Sequence, residues 1–195
     1  MIRAVVFDLD GVLRHFDREA ERLLEVRHGL PPGALIDAAF GDDLGLSLVT
    51  GEIDWPEYAE SLALRIGRPA TDEFVAMRAT LDHDAVRLVE RLRATGRPVA
   101  LLTNGTRRTD QELAEHGLVG VFDAVFNAAV LGVAKPDRAV YEIVTAELAI
   151  DAPGIGFVDD HLPNVEAAGA FGWRAHHYRD LAGVVSWLAD EGVLG

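Results

Sequence analysis

Hydrophobic and polar positions divide the chain into two kinds of pattern. A short β-branched run, residues 2–7, stops at Asp8, as a strand buried on both faces does. From Asp17 to about Asp84 the spacing turns helical. Ala20, Leu23, Leu24 and Val26 predict one apolar helix face. Asp54 predicts an N-cap for a second helix that opens at Trp55-Pro56-Glu57-Tyr58 and runs to about Ile66. Thr71 predicts the cap of a third helix containing Phe74, Val75 and Met77, and no strand is expected in this stretch.

From Ala85 onward helices and strands alternate. Helices are predicted at 85–94, 109–115, 138–148, 164–171 and 181–190, and strands at 99–103, 124–126, 155–158 and 174–176. Such alternation means crossover connections and a parallel sheet. The expected fold is therefore an α/β, Rossmann-like core with an inserted all-helical cap. Residues 1–14 and 86–195 would form the core and residues 15–85 the cap.

Composition narrows the chemistry. The 195 residues include 32 Asp+Glu against 18 Lys+Arg, for a formal charge of −14, with no cysteine. Disulfides and thiolate chemistry are excluded, and so strong an acidic balance argues against nucleic acid and anionic membranes as partners. With no signal-like or membrane-length apolar run, a cytoplasmic protein, monomer or homodimer, is expected. Residues 15–85 hold 15 acidic and 6 basic side chains, so the insertion is the more acidic part. Only one of the 18 basic residues is a lysine, Lys135.

In an open parallel sheet, ligands bind beyond the carboxyl ends of the strands. The reactive residues gather there: Asp8 and Asp10, Thr103-Asn104, Lys135-Pro136, and Asp159-Asp160. Carboxylates converging in one crevice repel one another, and a hard divalent cation, Mg²⁺ by its oxygen preference, is the usual compensation. A phosphate beside that metal would still need a hydroxyl, a backbone N–H and an ammonium, which Thr103, Asn104 and Lys135 can supply. Asp8 could then attack phosphorus, with Asp10 as general acid and base.

These residues resemble the four motifs of the haloacid dehalogenase superfamily of phosphohydrolases. Phe7-Asp8-Leu9-Asp10-Gly11-Val12-Leu13 is similar to the first, Leu102-Thr103-Asn104 to the second and Lys135-Pro136 to the third. The fourth is carried by Val158-Asp159-Asp160 with Asn164-Val165-Glu166-Ala167-Ala168. The resemblance implies an aspartyl-phosphate mechanism with Asp8 as nucleophile and Asp10 as acid/base, Asp10 also binding metal through its backbone carbonyl. It further implies that Thr103, the Asn104 amide and Lys135 hold phosphate. Asp160 would be a direct metal ligand, while Asp159 would orient Lys135 or a metal-bound water.

The expected activity is Mg²⁺-dependent hydrolysis of a small phosphorylated metabolite, a sugar phosphate or nucleoside monophosphate. Dehalogenase chemistry does not need Asp10. Phosphoglucomutase-like transfer would want basic residues in the cap stretch from Phe40 to Gly51, which has Asp42 and Asp43 but no Lys or Arg. A phospho-aspartate signalling module would have no cap. Arg14, just past the first motif, and His161, beside the acidic pair, are further candidates for ligand contact. Trp55, Trp173 and Trp187 are expected to be packing anchors.

Overall fold

Strand β1, Ala4–Phe7, has every side chain buried, which demands cover on both faces of its sheet. The computed structural model, which describes residues 1–194, supplies it. β1 is the central strand of an all-parallel sheet in the order β5-β4-β1-β6-β7, where β4 is Val99–Thr103, β5 Ala124–Asn127, β6 Ile155–Asp159 and β7 Arg174–His177.

Alternate β1 side chains enter different cores. Val5 and Phe7 pack with Leu88 and Leu92 of α6 (His83–Ala94) and with Val184 and Leu188 of α11 (Leu181–Asp190). Val6 faces the opposite way, toward Val140, Tyr141 and Val144 of α9 (Arg138–Leu148) and Ala168 of α10 (Leu162–Phe171). Trp173 closes that second core, as a packing anchor should, and Trp187 stacks on His176.

Five helices stand between β1 and β4 in the chain before α6: α1 (Arg18–Arg27), α2 (Ala34–Phe40), α3 (Asp43–Val49), α4 (Trp55–Ile66) and α5 (Arg68–Val75). They bury small cores of their own, one around Leu44, Leu48, Tyr58 and Leu62, another around Leu24, Leu35 and Ala70. The segments leading into and out of this insertion pair as a two-stranded antiparallel ribbon, β2 (Arg14–His15) with β3 (Thr80–Leu81). Two helices after β4, α7 (Thr109–Glu115) and α8 (Ala128–Leu131), complete the assignment.

Four expectations for the insertion need correction. β3 is a strand where none was expected. Thr71 lies inside α5 rather than capping it, donating its hydroxyl to the Gly67 carbonyl, and Met77 falls beyond the helix. Leu23 and Val26 of α1 are exposed, while Glu21 and Glu25 are buried in their stead. The reason is local bonding: Glu25 accepts the Leu35 N–H at 3.0 Å, and Glu21 pairs with Arg18. The short helices α2 and α3, joined across Gly41, were not foreseen.

Candidate active site

The parallel strands end on one side of the sheet, and their ends carry the reactive residues. Asp8, just past β1, is buried. One of its carboxylate oxygens accepts the Leu9 N–H at 2.8 Å and the Lys135 ammonium at 2.8 Å. Lys135 is buried too, and its Nζ also donates to Asp159 at 2.7 Å and to the Leu102 carbonyl at 2.8 Å. Its backbone is clamped by the Asn104 side chain, which accepts the Lys135 N–H and donates to its carbonyl, both at 2.8 Å. Asn104 therefore spends its side chain on the lysine loop. Thr103 ends β4 next to it, buried.

Asp159, fully buried at the end of β6, accepts from Lys135, from the His161 N–H at 2.8 Å and from Asn164 Nδ2 at 3.1 Å on both oxygens. So saturated a carboxylate is suited to holding Lys135 and the start of α10 in place. Asp160 follows, with its side chain lying over Gly11. A Cβ on Gly11 would overlap that carboxylate, and Gly11 also has φ +85°, so glycine is required twice over.

Asp8, Asp159 and Asp160 each offer an oxygen within 4.8 Å of the others. Against them stands one buried ammonium. Burial, opposed by Lys135 and reinforced by Asp159, pushes the Asp8 carboxyl up to about 7. Burial and then Asp159 raise Asp160 as well. Burial alone would lower Lys135, but the two carboxylates outweigh it and hold the ammonium above its ordinary range. The donor set is hard oxygen with excess negative charge, which fits a divalent cation such as Mg²⁺.

Asp10 stands apart from this carboxylate group. Its side chain forms a two-point pair with Arg14, at 2.5 and 3.1 Å, and Arg14 reaches Glu112 of α7 at 2.9 Å with its remaining nitrogen. The side chain is thus placed outside the acidic cluster. Arg14 is buried, and both it and Asp10 line a cavity of about 170 Å³ between insertion and core. Trp55 is in that lining, with Arg108 over its ring at 4.5 Å, so it is a cavity wall as well as a packing residue. His161 lines an adjoining cavity of about 550 Å³. Sequence reasoning missed Glu112, Arg108 and the aromatic walls, since none of them belongs to a motif. Asn164 was visible as part of the fourth motif, but not its bond to Asp159.

A sequence model of haloacid dehalogenase-like hydrolases matches residues 2–172. Phosphatase MT3486 of Mycobacterium tuberculosis is 34% identical, across 90% of this chain and 86% of that protein. The sesquiterpene phosphatase AstK of Aspergillus oryzae is 28% identical, across 91% and 90%. A solved HAD-family enzyme, BT-2542 of Bacteroides thetaiotaomicron in complex with magnesium and inorganic phosphate, superposes with a TM-score of 0.75 at 20% identity. It covers 94% of this chain and 99% of its own. That likeness is one of fold, and the sequence match extends it to the family. With four motifs in order, their side chains converging beside the strand ends of a parallel α/β core, this chain belongs to the haloacid dehalogenase-like hydrolases.

Proposed function

We propose that this protein is a Mg²⁺-dependent phosphomonoesterase working through a phosphoaspartate on Asp8, with residues 15–85 as a cap over the site. The observation that carries the reading is the convergence of Asp8, Lys135, Asp159 and Asp160 within side-chain reach at one strand-end crevice. Two similar proteins named as phosphatases support the same chemistry.

The reaction proceeds in two displacements. An Asp8 oxygen attacks phosphorus while the bond from phosphorus to the leaving oxygen breaks, and Asp10 gives that oxygen its proton. Water, losing a proton to Asp10, then attacks the same phosphorus, the bond to Asp8 breaks, and inorganic phosphate leaves with the carboxylate restored. Lys135, the Thr103 hydroxyl and the Asn104 N–H hold the phosphoryl oxygens throughout. Asp8, Asp160 and the Asp10 carbonyl would bind the cation, with Asp159 positioning Lys135. When bound, Mg²⁺ neutralises charge on the phosphoryl oxygens and lets the anionic nucleophile approach.

Asp10 separates this reading from dehalogenation, because an alkoxide needs a proton and a halide does not. A p-nitrophenyl phosphate assay tests it. Many turnovers per enzyme, lost on chelation and lost in Asp8→Asn, are expected. Labelling that stops at one phosphate per chain would instead indicate a signalling module.

A further inference from the structure

Asp10 and Asn104 line both cavities between the insertion and the core; Asp10 stands two residues past Asp8, and Asn104 directly follows Thr103. Whatever is attached to a phosphate held at Asp8 must project into that space. The wider cavity, about 550 Å³, is walled by Phe16, Ile36, Phe40, Leu46, Val49 and Phe74. Phe40 and Phe74 meet edge to face with ring centres 6.5 Å apart. Phe74 also packs against the insertion's cores, but three of the walls are left open: Phe16 is 39% exposed, Phe40 51% and Leu46 54%, whereas Leu35 and Leu62 fill those cores. Isolated exposed apolar side chains mean little. Three that face one cleft beside a reactive carboxylate mark the seat of a ligand's apolar part.

The charged groups of the wider cleft point the same way, because its arginine is paired and carboxylates outnumber it. Arg18 pairs with Glu21 at 2.9 Å and Arg65 with Asp42 at 2.8 Å. In the narrower cavity Arg14 is taken up by Asp10 and Glu112, Arg108 covers Trp55, and Arg78 donates to the backbone carbonyls of Ala76 and Met77. A sugar would press its hydroxyl groups against hydrocarbon here, and a second anionic group would meet Glu21 and Asp42 at the rim.

We infer that the leaving group is an aliphatic alcohol, so that the substrate is an alkyl-type phosphomonoester whose hydrocarbon tail lies along the Phe16–Phe40–Leu46–Phe74 wall. The inference rests on the phosphomonoesterase reading above and departs from the expected sugar or nucleoside phosphate. Each methylene fully buried is worth about a fourfold gain in kcat/KM.

The test is a series of n-alkyl phosphates from butyl to decyl, kept below micelle-forming concentrations. Glucose 6-phosphate, a nucleoside monophosphate and an octyl phosphate with a terminal carboxylate are the comparison substrates. A rise of at least ~10-fold in kcat/KM from butyl to octyl is expected. The three comparison substrates should be turned over more slowly than octyl phosphate, and the slope should flatten in Phe40→Ser and Leu46→Asn, whose exposed positions spare the fold. A flat series, or preference for a hydroxylated or doubly anionic substrate, overturns the inference and leaves the phosphomonoesterase reading standing. A slope that persists in both variants overturns the assignment of the wall. Failure to hydrolyse any phosphomonoester overturns both readings.

Discussion

Lys135 balances the charge of the site. Its ammonium makes three contacts in three directions, to Asp8, Asp159 and the Leu102 carbonyl. A planar guanidinium cannot reproduce that geometry in the same space. Lys135→Arg is therefore expected to lower kcat by ~10²–10³-fold, measured in steady state. Asp8 makes a prediction about pH. Its carboxyl rises from an ordinary 3.8 to about 7, so over that interval the folded protein keeps a proton that the unfolded chain has released. The resulting stabilisation is complete below 3.8 and is lost as pH rises through about 7. Metal-free protein should lose Tm progressively between about pH 4 and pH 7 and level off above that. Asp8→Asn should lose less, and Mg²⁺ should restore more at the higher pH, where no proton must be displaced. Gly11→Ala gives a third test at this scale. By pushing the Asp160 carboxylate aside it should weaken Mg²⁺ binding by at least ~10-fold in titration calorimetry while the circular dichroism spectrum is retained. The motif residues were legible because each sits at the end of an apolar run. Arg14 was visible as a candidate, but not its pairing, since Glu112 lies 98 residues further along the chain.

At the level of elements, the β2–β3 ribbon joins the insertion to the core and sets the position of the Asp10 side chain. Arg14 lies on β2, its pair with Asp10 links that strand to the first motif, and its pair with Glu112 ties both to α7. Arg14→Ala should lower kcat/KM by ~10-fold or more and speed amide exchange at residues 14–15 and 80–81, read by hydrogen-exchange mass spectrometry. Segments of the alternating core were readable from sequence: β4, α7, α9 and α11 have the bounds that their patterns predict. α2 and α3 span only two turns each and lie outside the strand–helix alternation that locates the equally short α7, so no periodicity stands out there. The two-residue strands β2 and β3 exist only through their pairing with each other. The buried face of α1 was misread because Glu21 and Glu25 are buried through specific partners, which hydrophobic periodicity does not register.

Across the whole molecule, a charge of −14 and an acidic insertion set a repulsive field for any phosphate dianion on approach. Part of that charge is the Asp8–Asp159–Asp160 group, which Mg²⁺ would offset; the remainder is open to screening by salt. At fixed Mg²⁺, KM for a soluble phosphomonoester should fall by ~2-fold as ionic strength rises from about 10 to 150 mM. The sheet order and the covered core follow from alternating patterns that a sequence displays. The cleft is different in kind, since Phe16, Phe40, Leu46 and Phe74 become neighbours only when the short helices of the insertion fold together, and Asp10, Asn104 and His161 of the core close it from the other side. The central claim is that phosphate passes through a covalent bond to Asp8, and acid quenching during turnover of a phosphate-labelled substrate tests it most directly. Peptide mapping of the quenched protein should find the label on Asp8, lost on a chase with unlabelled substrate and absent from Asp8→Asn. Full turnover with no protein-bound label, or a label retained in Asp8→Asn, would contradict it.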